Sequence, residues 1–325
     1  MSAWIPPEDF EIATFQFKIT ATTPLSLPTY KGSTLRGSFG TAFKRIACIS
    51  KQKICGNCLI KDKCIYIYIF ETPPPADTQM MKRYPSVPHP FILLPPSEEK
   101  TAYEPGEGLF FYLTLIGRTI HYLPYFIYTF EEVGRMGIGK GRGKFILSEV
   151  LGLDRHKREI RIYNGKTKTL KGQKVINLTW NRLIDHCEFP ANPQLITLNF
   201  LTPTRFKYDG RLVLDLEFHI LIRNLLRRIS TLYYFHCGQE LKVDYKALIK
   251  KAQEVENKDR ELRWYDWERY SRRQDTRMKL GGFMGRITFK GEMKEFMPYI
   301  ILGEYIHVGK GTGFGLGKYE ILDAR

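Results

Sequence analysis

Four cysteines within seventeen residues form the first set whose types and spacing could do chemistry: Cys48, Cys55, Cys58 and Cys64. Four thiolates can surround one tetrahedral ion and leave no position open to a substrate, so this spacing predicts a structural metal centre. Zinc is the favoured ion. An iron–sulfur cluster and free or regulatory thiols stay open as alternatives, because only one Cys-x-x-Cys pair is present.

A glycine-rich loop near the end of the chain has residues suited to phosphate binding. Its glycines occupy alternate positions: Gly309, Gly311, Gly313, Gly315 and Gly317. Lys310 and Lys318 bracket the loop, and His307 stands at its entrance. Backbone amides in a glycine-rich loop lie open, and amides beside lysines make a seat for the phosphate of a nucleotide or a polynucleotide. The spacing does not match the common nucleotide-binding motifs.

A second glycine loop, from Gly134 to Gly143, carries four cations in or beside it: Arg135, Lys140, Arg142 and Lys144. A helix that begins near a Pro-Tyr pair precedes each loop, with Pro124-Tyr125 in the first half and Pro298-Tyr299 in the second. Matched features at similar spacing indicate an internal duplication. Chance similarity of two apolar helices is the weaker account.

The elements that must position these residues begin with a strand at Phe10–Thr22 and a helix that opens at Gly32, with Arg36 on its outer face. The second half repeats a strand, predicts a long helix after Gly210, and continues with a charged helical segment from Asp244 to Arg260. We therefore predict an α+β protein with two tandem ferredoxin-like domains. The domains are residues 1–152, with the cysteine insertion at 48–64, and 195–325, joined by a hairpin and linker over 153–194.

Composition narrows the class of partner. The chain has 50 Lys and Arg against 34 Asp and Glu, a net charge of +16, which favours a polyanion over a neutral or acidic partner. Residues 1–10 lack the charged start and apolar core of a signal peptide, so we expect a cytoplasmic protein with reduced thiols. The apolar stretch Leu109–Phe130 imitates a membrane span, but it is better explained as a buried strand followed by a helix.

Three further stretches, together with the terminal glycine loop, carry a family resemblance: Leu35-Arg-Gly-Ser-Phe-Gly40, Leu201-Thr-Pro-Thr-Arg205 and Gly281-Gly-Phe-Met-Gly-Arg286. With the duplicated domains, they resemble the RAMP superfamily of CRISPR-associated proteins. Within it, the chain is most similar to the endoribonuclease that processes precursor CRISPR RNA. The resemblance covers nearly the whole chain and is weakest over residues 154–193.

The resemblance implies a protein that binds CRISPR repeat RNA and cuts it once per repeat without a catalytic metal. In that reaction, a ribose 2′-hydroxyl attacks the adjacent phosphate and leaves a 2′,3′-cyclic phosphate and a free 5′-hydroxyl. Many family members use a histidine in or just after the first helix, and this helix has none. The alternative is a non-catalytic RAMP subunit that holds guide RNA within a CRISPR effector complex.

Four residues are candidates for the chemistry of cleavage. His307 leads, because it closes a helix beside a phosphate-seating loop and its side chain titrates near neutrality, although a histidine there can also simply cap the helix. His89 is second, held between two prolines in an extended segment. Tyr30 and Lys31, just before the first helix, could orient or stabilise the phosphate, or be ordinary loop residues.

RNA binding is predicted at the two glycine loops and at Arg263–Lys290. This segment interleaves cations with aromatic side chains, a mixture suited to holding phosphates and stacking bases. Part of its aromatic set must face the core, because strand residues alternate between faces. The predicted phosphate contacts there are Arg272, Arg273, Arg277, Lys279 and Arg286.

Overall fold

The computed structural model describes residues 7, 9–50, 54–171, 177–185, 190, 192–213, 215–266, 268–271, 276–279 and 281–325, with backbone alone for 268–271 and 276–279. The chain divides into two compact units. The N-terminal unit comprises Glu11–Leu178 together with Phe235–Cys237. The C-terminal unit comprises Thr179–Tyr234 and Gly238–Arg325, with the described residues before Glu11.

The N-terminal unit is an antiparallel sheet with helices on one face. Its elements are β1 (Glu11–Ala21), β2 (Leu25–Ser26), α1 (Gly32–Ala47), β3 (Phe91–Leu94), β4 (Ala102–Tyr103), β5 (Gly108–Ile116), α2 (Leu123–Met136), β6 (Phe145–Leu153), β7 (Glu159–Asn164), β8 (Thr169–Leu170) and β9 (Leu178–Thr179). Short helical segments occur at Lys61–Lys63, Ile67–Glu71 and Gly117–Tyr122. The main sheet runs β3-β5-β1-β6, with β7 and β8 beyond β6.

Alternation along β1 explains why it lies in the centre of this sheet. Phe15, Phe17 and Ile19 are buried on the helix-facing side, and Phe17 pairs with Phe111 of β5 at a ring distance of 5.3 Å. Phe39 of α1 packs into the same core, and its ring centroid lies 4.9 Å from that of Phe126 of α2. Because a strand with one buried face has its register set by that face, this aromatic face fixes the register of β1.

The C-terminal unit repeats the arrangement. Its elements are α3 (Trp180–Asp185), β10 (Leu195–Thr204), β11 (Lys207–Tyr208), β12 (Arg211–Leu212), α4 (Phe218–Leu232), α5 (Tyr245–Ala252), β13 (Glu256–Tyr265), β14 (Glu268–Ser271), β15 (Thr276–Lys279), β16 (Gly282–Lys290), α6 (Met297–Ile306) and β17 (Tyr319–Ala324). Its main sheet runs β13-β16-β10-β17, the same order as β3-β5-β1-β6. The predicted α+β fold of two ferredoxin-like units is confirmed.

Two boundaries differ from the sequence prediction. The long helix begins at Phe218 rather than after Gly210, because β11 and β12 form a hairpin whose turn residues Asp209 and Gly210 have φ of 47° and 75°. The charged segment after Asp244 is helical only to Ala252 and then becomes β13. Hydrophobic periodicity is weak in both segments, so local turn chemistry and edge pairing decided them.

The apolar stretch Leu109–Phe130 is divided between β5, the short helix at Gly117–Tyr122 and the first half of α2. Within the residues that the structure describes, no helix has the length and apolar character needed to cross a membrane.

Candidate active site

His89 lies against α1, the first helix, although that helix contains no histidine. The Nη2 atom of Arg36, on α1, is 2.7 Å from His89 Nε2 and donates to it. On the other side of the ring, Nδ1 is 3.0 Å from Thr72 Oγ1, which in turn donates to the carbonyl oxygen of Val87 at 2.9 Å. One proton arrangement satisfies all three contacts: a neutral imidazole with its proton on Nδ1.

Aromatic rings hold Arg36 and His89 in place. The His89 ring centroid is 6.3 Å from that of Phe70 and 5.8 Å from that of Phe91, and the Arg36 guanidinium lies 4.5 Å from the Phe70 centroid. His89 and Arg36 are both half-buried. A guanidinium over an aromatic face is stabilised by the ring quadrupole and keeps the positive charge that attracts an anion.

Thr72 holds His89 from an unusual backbone conformation. It follows the short helix Ile67–Glu71 with φ 46° and ψ 51°, the left-handed region that β-branched residues avoid. Its amide donates to the carbonyl of Ile67 at 2.7 Å, and its carbonyl accepts from the amide of Val87 at 2.8 Å. These contacts and the hydroxyl together maintain a strained residue beside the histidine, as occurs at ligand clamps and active sites.

The Leu35–Gly40 motif has a physical explanation at this site. Leu35 and Phe39 face the core, and Arg36 reaches His89. A Cβ at Gly40 would lie 2.1 Å from the tip of the Phe70 ring, so any larger residue there would displace the ring that packs against Arg36 and His89. The motif therefore brings together the two elements that hold His89.

A second histidine supports the segment that carries His89. His236 is buried, and its Nε2 is 2.8 Å from the carbonyl oxygen of Pro88, the residue before His89. Its Nδ1 is 3.4 Å from the hydroxyl of Tyr68. His236 Nε2–H donates to the Pro88 carbonyl and so supports the extended segment. Because the ring is buried, it is closed to a substrate.

Tyr30 and Lys31 are placed to support the loop before α1. Lys31 is fully buried, and its Nζ donates to the carbonyl oxygens of Glu98 at 2.9 Å and Thr29 at 3.3 Å. Burial lowers the pKa of the Lys31 ammonium, and the Glu98 carboxylate opposes this shift. Burial also raises the pKa of the Tyr30 hydroxyl. The Lys31 ammonium is therefore used to join two loops and is closed to a phosphate from solvent.

His307 is held inside the C-terminal unit. It is 3% exposed, has φ 57° at the end of α6, and its Nδ1 is 3.1 Å from the carbonyl oxygen of Leu316, to which it donates. Burial lowers the pKa of this imidazole well below its usual range, and the nearby Lys318 adds to the effect. A neutral, enclosed imidazole cannot exchange protons with a substrate, so the geometry ties His307 to the shape of the loop.

The terminal glycine loop uses much of its backbone internally. Six of its amides donate to oxygens of the chain: those of Val308, Lys310, Phe314, Gly315, Gly317 and Lys318. Gly313, Gly315 and Gly317 are buried, Gly309 and Gly311 are half-buried, and a Cβ at Gly317 would lie 1.8 Å from the Val308 carbonyl oxygen. Lys310 is exposed, whereas Lys318 Nζ donates to the carbonyl of Glu304 at 2.6 Å.

The motif Leu201–Arg205 closes that loop from outside. The Thr202 hydroxyl donates to the Gly315 carbonyl at 2.9 Å and accepts from the Lys318 amide at 2.9 Å, and the Arg205 carbonyl accepts from the Lys310 amide at 3.1 Å. The glycines therefore allow a tight backbone approach. The sequence alone predicts an open seat for phosphate at these glycines.

The glycine loop of the N-terminal unit differs, because its cations face solvent. Lys140, Arg142 and Lys144 are exposed, and within the described ranges no carboxylate forms an ion pair with them. Arg135 is instead paired with Glu131 at 3.6 Å and Glu132 at 3.2 Å. Three unpaired cations within five residues form a compact anion-binding surface, which we call the basic loop.

Further exposed side chains lie on the edge strand of the C-terminal sheet, β13, and on its neighbour β16. Arg286 of β16 is exposed, and Trp264 and Tyr265 of β13 are 39% and 40% exposed. The backbone of Arg277 and Lys279 lies in β15. Arg272 and Arg273 fall outside the described residues.

The four clustered cysteines line one small cavity of about 10 Å³, and all four are half-buried and free of disulfides. Across the described parts of the chain, no three Cys, His, Asp or Glu side chains are already grouped as metal ligands. The structure thus brings the four cysteines to one place, while their sulfur atoms do not surround a common point.

Arg36 and Thr72 were not singled out from the sequence as site residues. For Arg36, the available signal was its position within the Leu35–Gly40 motif. Thr72 had none, because a left-handed threonine is not foreseeable from its neighbours in the chain.

Two family models match the chain. One, described as AF_1859_N, an N-terminal domain, matches residues 10–175, and one described as CRISPR-associated endoribonuclease Cas6 matches residues 198–319. An uncharacterized protein of Archaeoglobus fulgidus is 24% identical over 302 residues, which cover 91% of this chain and 92% of the relative.

Solved structures share the fold. A Cas6 product complex has a TM-score of 0.57 at 18% identity, over 96% of this chain and 99% of the other. Thermus thermophilus Cas6 has a TM-score of 0.55 at 16% identity, over 96% and 99% of the two chains. Because the first family model covers just over half of the chain, the chain belongs to the AF_1859_N family, and most of its C-terminal unit is similar to the CRISPR-associated endoribonuclease Cas6 family model.

Proposed function

We propose that this chain cuts precursor CRISPR RNA at one site in each repeat, through attack of a ribose 2′-hydroxyl on the adjacent phosphate, with His89 as the proton-transfer group. The observation that carries the proposal is the contact between His89 and Arg36 of α1. The resemblance implies a histidine in or just after the first helix. In this chain, the segment Pro88–Pro90 delivers a histidine to that helix from a distant position in the sequence.

The neutral, Nδ1-protonated imidazole has the form that a general base requires. When a substrate phosphate approaches, its oxygens compete for the Arg36 guanidinium, whose planar fork suits a phosphate. Arg36 then turns from Nε2 to the phosphate, and Nε2 is left to accept the 2′-hydroxyl proton. Thr72 keeps the opposite nitrogen protonated throughout, which fixes the tautomer.

The bonds and protons of the step balance. The 2′-oxygen forms a bond to phosphorus while its proton passes to His89 Nε2, and the bond from phosphorus to the 5′-oxygen breaks. The proton on Nε2 is then available to the leaving 5′-oxygen, which gives a 2′,3′-cyclic phosphate and a 5′-hydroxyl. Arg36 stabilises the charge on the phosphorane. Because a guanidinium and an imidazole supply both requirements, the step needs no catalytic metal.

His307, Tyr30 and Lys31 have structural roles in this proposal. His307 is enclosed and neutral, and Lys31 is buried among carbonyl oxygens. Neither can reach a phosphate without local unfolding.

RNA binding is assigned to exposed cations on each unit. On the N-terminal unit these are Lys140, Arg142 and Lys144 of the basic loop. On the C-terminal unit, Arg286 offers a cation and the exposed rings of Trp264 and Tyr265 offer faces for unpaired bases. Lys310 is the exposed cation of the terminal loop.

The test is single-turnover cleavage of repeat RNA without added divalent metal ions, with analysis of both product ends. We expect one cut with a cyclic phosphate, and a rate lowered by about 10² to 10⁴ in His89→Ala, the range typical of a lost acid–base group. His121→Ala is the matched control, because His121 is exposed on the short helix before α2. Equal rates for His89→Ala and the unmodified chain would show that another group carries the proton.

The alternative is a chain that holds CRISPR RNA without cutting it. One observation favours it: in the free chain, both ring nitrogens of His89 are hydrogen-bonded, as they would be in a purely structural residue. Tight binding of repeat RNA with no product under any condition would establish this alternative.

A further inference from the structure

The cysteine cavity adjoins both elements that hold His89. Cys48 directly follows α1, and its amide donates to the carbonyl of Lys44 at 3.0 Å. Cys64 precedes the short helix Ile67–Glu71, and its carbonyl accepts from the amide of Tyr68 at 2.9 Å. At their other ends, α1 carries Arg36 and the short helix leads to Thr72. Whatever fixes these cysteines therefore fixes the starting points of the two elements that meet at His89.

The cavity itself suits a single ion held by sulfur. Its volume is about 10 Å³, and the side chains around the four cysteines are mainly aliphatic and aromatic: Ile49, Ile54, Ile60, Tyr66 and Ile67. That space holds about one water-sized sphere. Between the outer cysteines, Cys55 and Cys58 share a turn in which the Cys58 amide donates to the Cys55 carbonyl at 3.4 Å. All four cysteines thus line one cavity of this size.

The described part of the cysteine segment is weakly packed. Ile49 is 79% exposed and Leu59 is fully exposed, although Cys55 and Cys64 pack against the core of the N-terminal unit. Lys61 and Lys63 are exposed as well. In loops of this kind, the free energy of metal binding replaces the missing burial. Four sulfur ligands without a carboxylate favour zinc, or an iron–sulfur cluster, over hard cations.

We propose that Cys48, Cys55, Cys58 and Cys64 bind one structural zinc ion, and that this ion fixes the end of α1 against the start of the short helix so that Arg36 and Thr72 contact His89 together. The metal site stands independently of the cleavage reaction. Its effect on His89 rests on the function proposed above.

Metal content tests the site. The full chain is purified and its zinc, iron and acid-labile sulfide are measured per chain, followed by exchange with Co²⁺ and an absorption spectrum. We expect one zinc per chain and a Co²⁺ spectrum of tetrahedral thiolate ligation. Cys58→Ser should lose the metal, whereas Cys237→Ser, at a cysteine outside the cluster that forms no disulfide, should retain it. Cys58→His, which still supplies a ligand, should restore binding if Cys58→Ser fails to fold.

Three outcomes would overturn the zinc site: no bound metal in the unmodified chain, metal retained in Cys58→Ser, or iron with sulfide in place of zinc. The last would establish a cluster at the same residues.

Hydrogen exchange tests the positioning role without any cleavage assay. The amides of Thr72 and Val87 donate to Ile67 and Thr72 within the segment that holds His89. Removal of the metal by a chelator should speed their exchange by about tenfold or more, while the amide of Phe111 in β5 should keep its protection. Unchanged exchange at Thr72 and Val87 after metal loss would show that the ion does not position His89, whatever the outcome for cleavage.

Discussion

Replacement of Thr72 separates strain from function, because its hydroxyl and its methyl have different roles. The hydroxyl accepts from His89 Nδ1 and donates to Val87, while the β-branched side chain must occupy a left-handed conformation at φ 46°. Thr72→Ser keeps the hydroxyl and reduces the crowding. Thr72→Ala removes the hydroxyl and keeps a Cβ in the same conformation.

The two variants should therefore differ in both stability and cleavage. Loss of two hydrogen bonds, one to a buried carbonyl, costs about 1 to 3 kcal/mol in Thr72→Ala. A non-glycine residue in this region costs about 1 to 3 kcal/mol, and serine, without the γ-methyl, should recover a fraction of that. We expect the unfolding free energy of Thr72→Ser to equal or exceed that of the unmodified chain. Its cleavage rate should stay within about threefold, because the tautomer of His89 is still fixed.

The assay is single-turnover cleavage over a range of pH, with denaturant unfolding of the same samples. Thr72→Ala should lower the rate by about 10- to 100-fold at neutral pH, less than His89→Ala, since a mobile imidazole still transfers protons in a fraction of its orientations. If Thr72→Ser and Thr72→Ala lose the same activity, the hydroxyl does not position His89. If neither variant changes the rate, the active site lies elsewhere.

Two further predictions concern His307 and the basic loop. The pKa of His307 is lowered in the folded chain, so below the ordinary histidine pKa of about 6.5 only the unfolded chain binds a proton at this residue. As the pH decreases in that range, the unfolding free energy should therefore decrease by up to about 1.4 kcal/mol per pH unit. In denaturant unfolding between about pH 6.5 and 5, the unfolding free energy of His307→Asn should decrease less steeply than that of the unmodified chain. The same dependence on pH in both proteins would contradict the burial of a neutral His307. For the basic loop, we expect a triple variant to lower the salt dependence of RNA binding; its changes are Lys140→Ala, Arg142→Ala and Lys144→Ala. The slope of log affinity for repeat RNA against log salt should decrease in magnitude by about two, because each lost phosphate contact contributes about 0.7. Lys100→Ala, exposed and paired with Glu107 at 2.8 Å, should leave the slope unchanged, and an equal reduction in both would indicate a general charge effect.

The fold was predictable because its signals are periodic and repeated. Alternation marked β1, 3.6-residue spacing marked α1, and the duplicated Pro-Tyr and glycine positions indicated the second unit. Each of these depends on residues that are close in sequence. The prediction of a helix directly after Gly210 was wrong, because a short hairpin with left-handed turn residues leaves no periodic signal in the sequence.

The site was less predictable because tertiary contacts assemble it. His89 and Arg36 are 53 residues apart, and a proline-rich segment without periodicity carries the histidine. The glycine loops were difficult to interpret for a different reason. Dense glycine is equally consistent with exposed amides and with a close backbone approach, and Gly317, beside the Val308 carbonyl, takes the second role.

The hydrogen bond from His236 to Pro88 sets an order of events during synthesis. Its partners are 148 residues apart, so the support for the His89 segment is completed only after α4 has left the ribosome. At a synthesis rate of about 5 to 20 residues per second, His236 would be added roughly 7 to 30 seconds after Pro88. The N-terminal sheet can therefore form before the segment that carries His89 has received its last hydrogen bond.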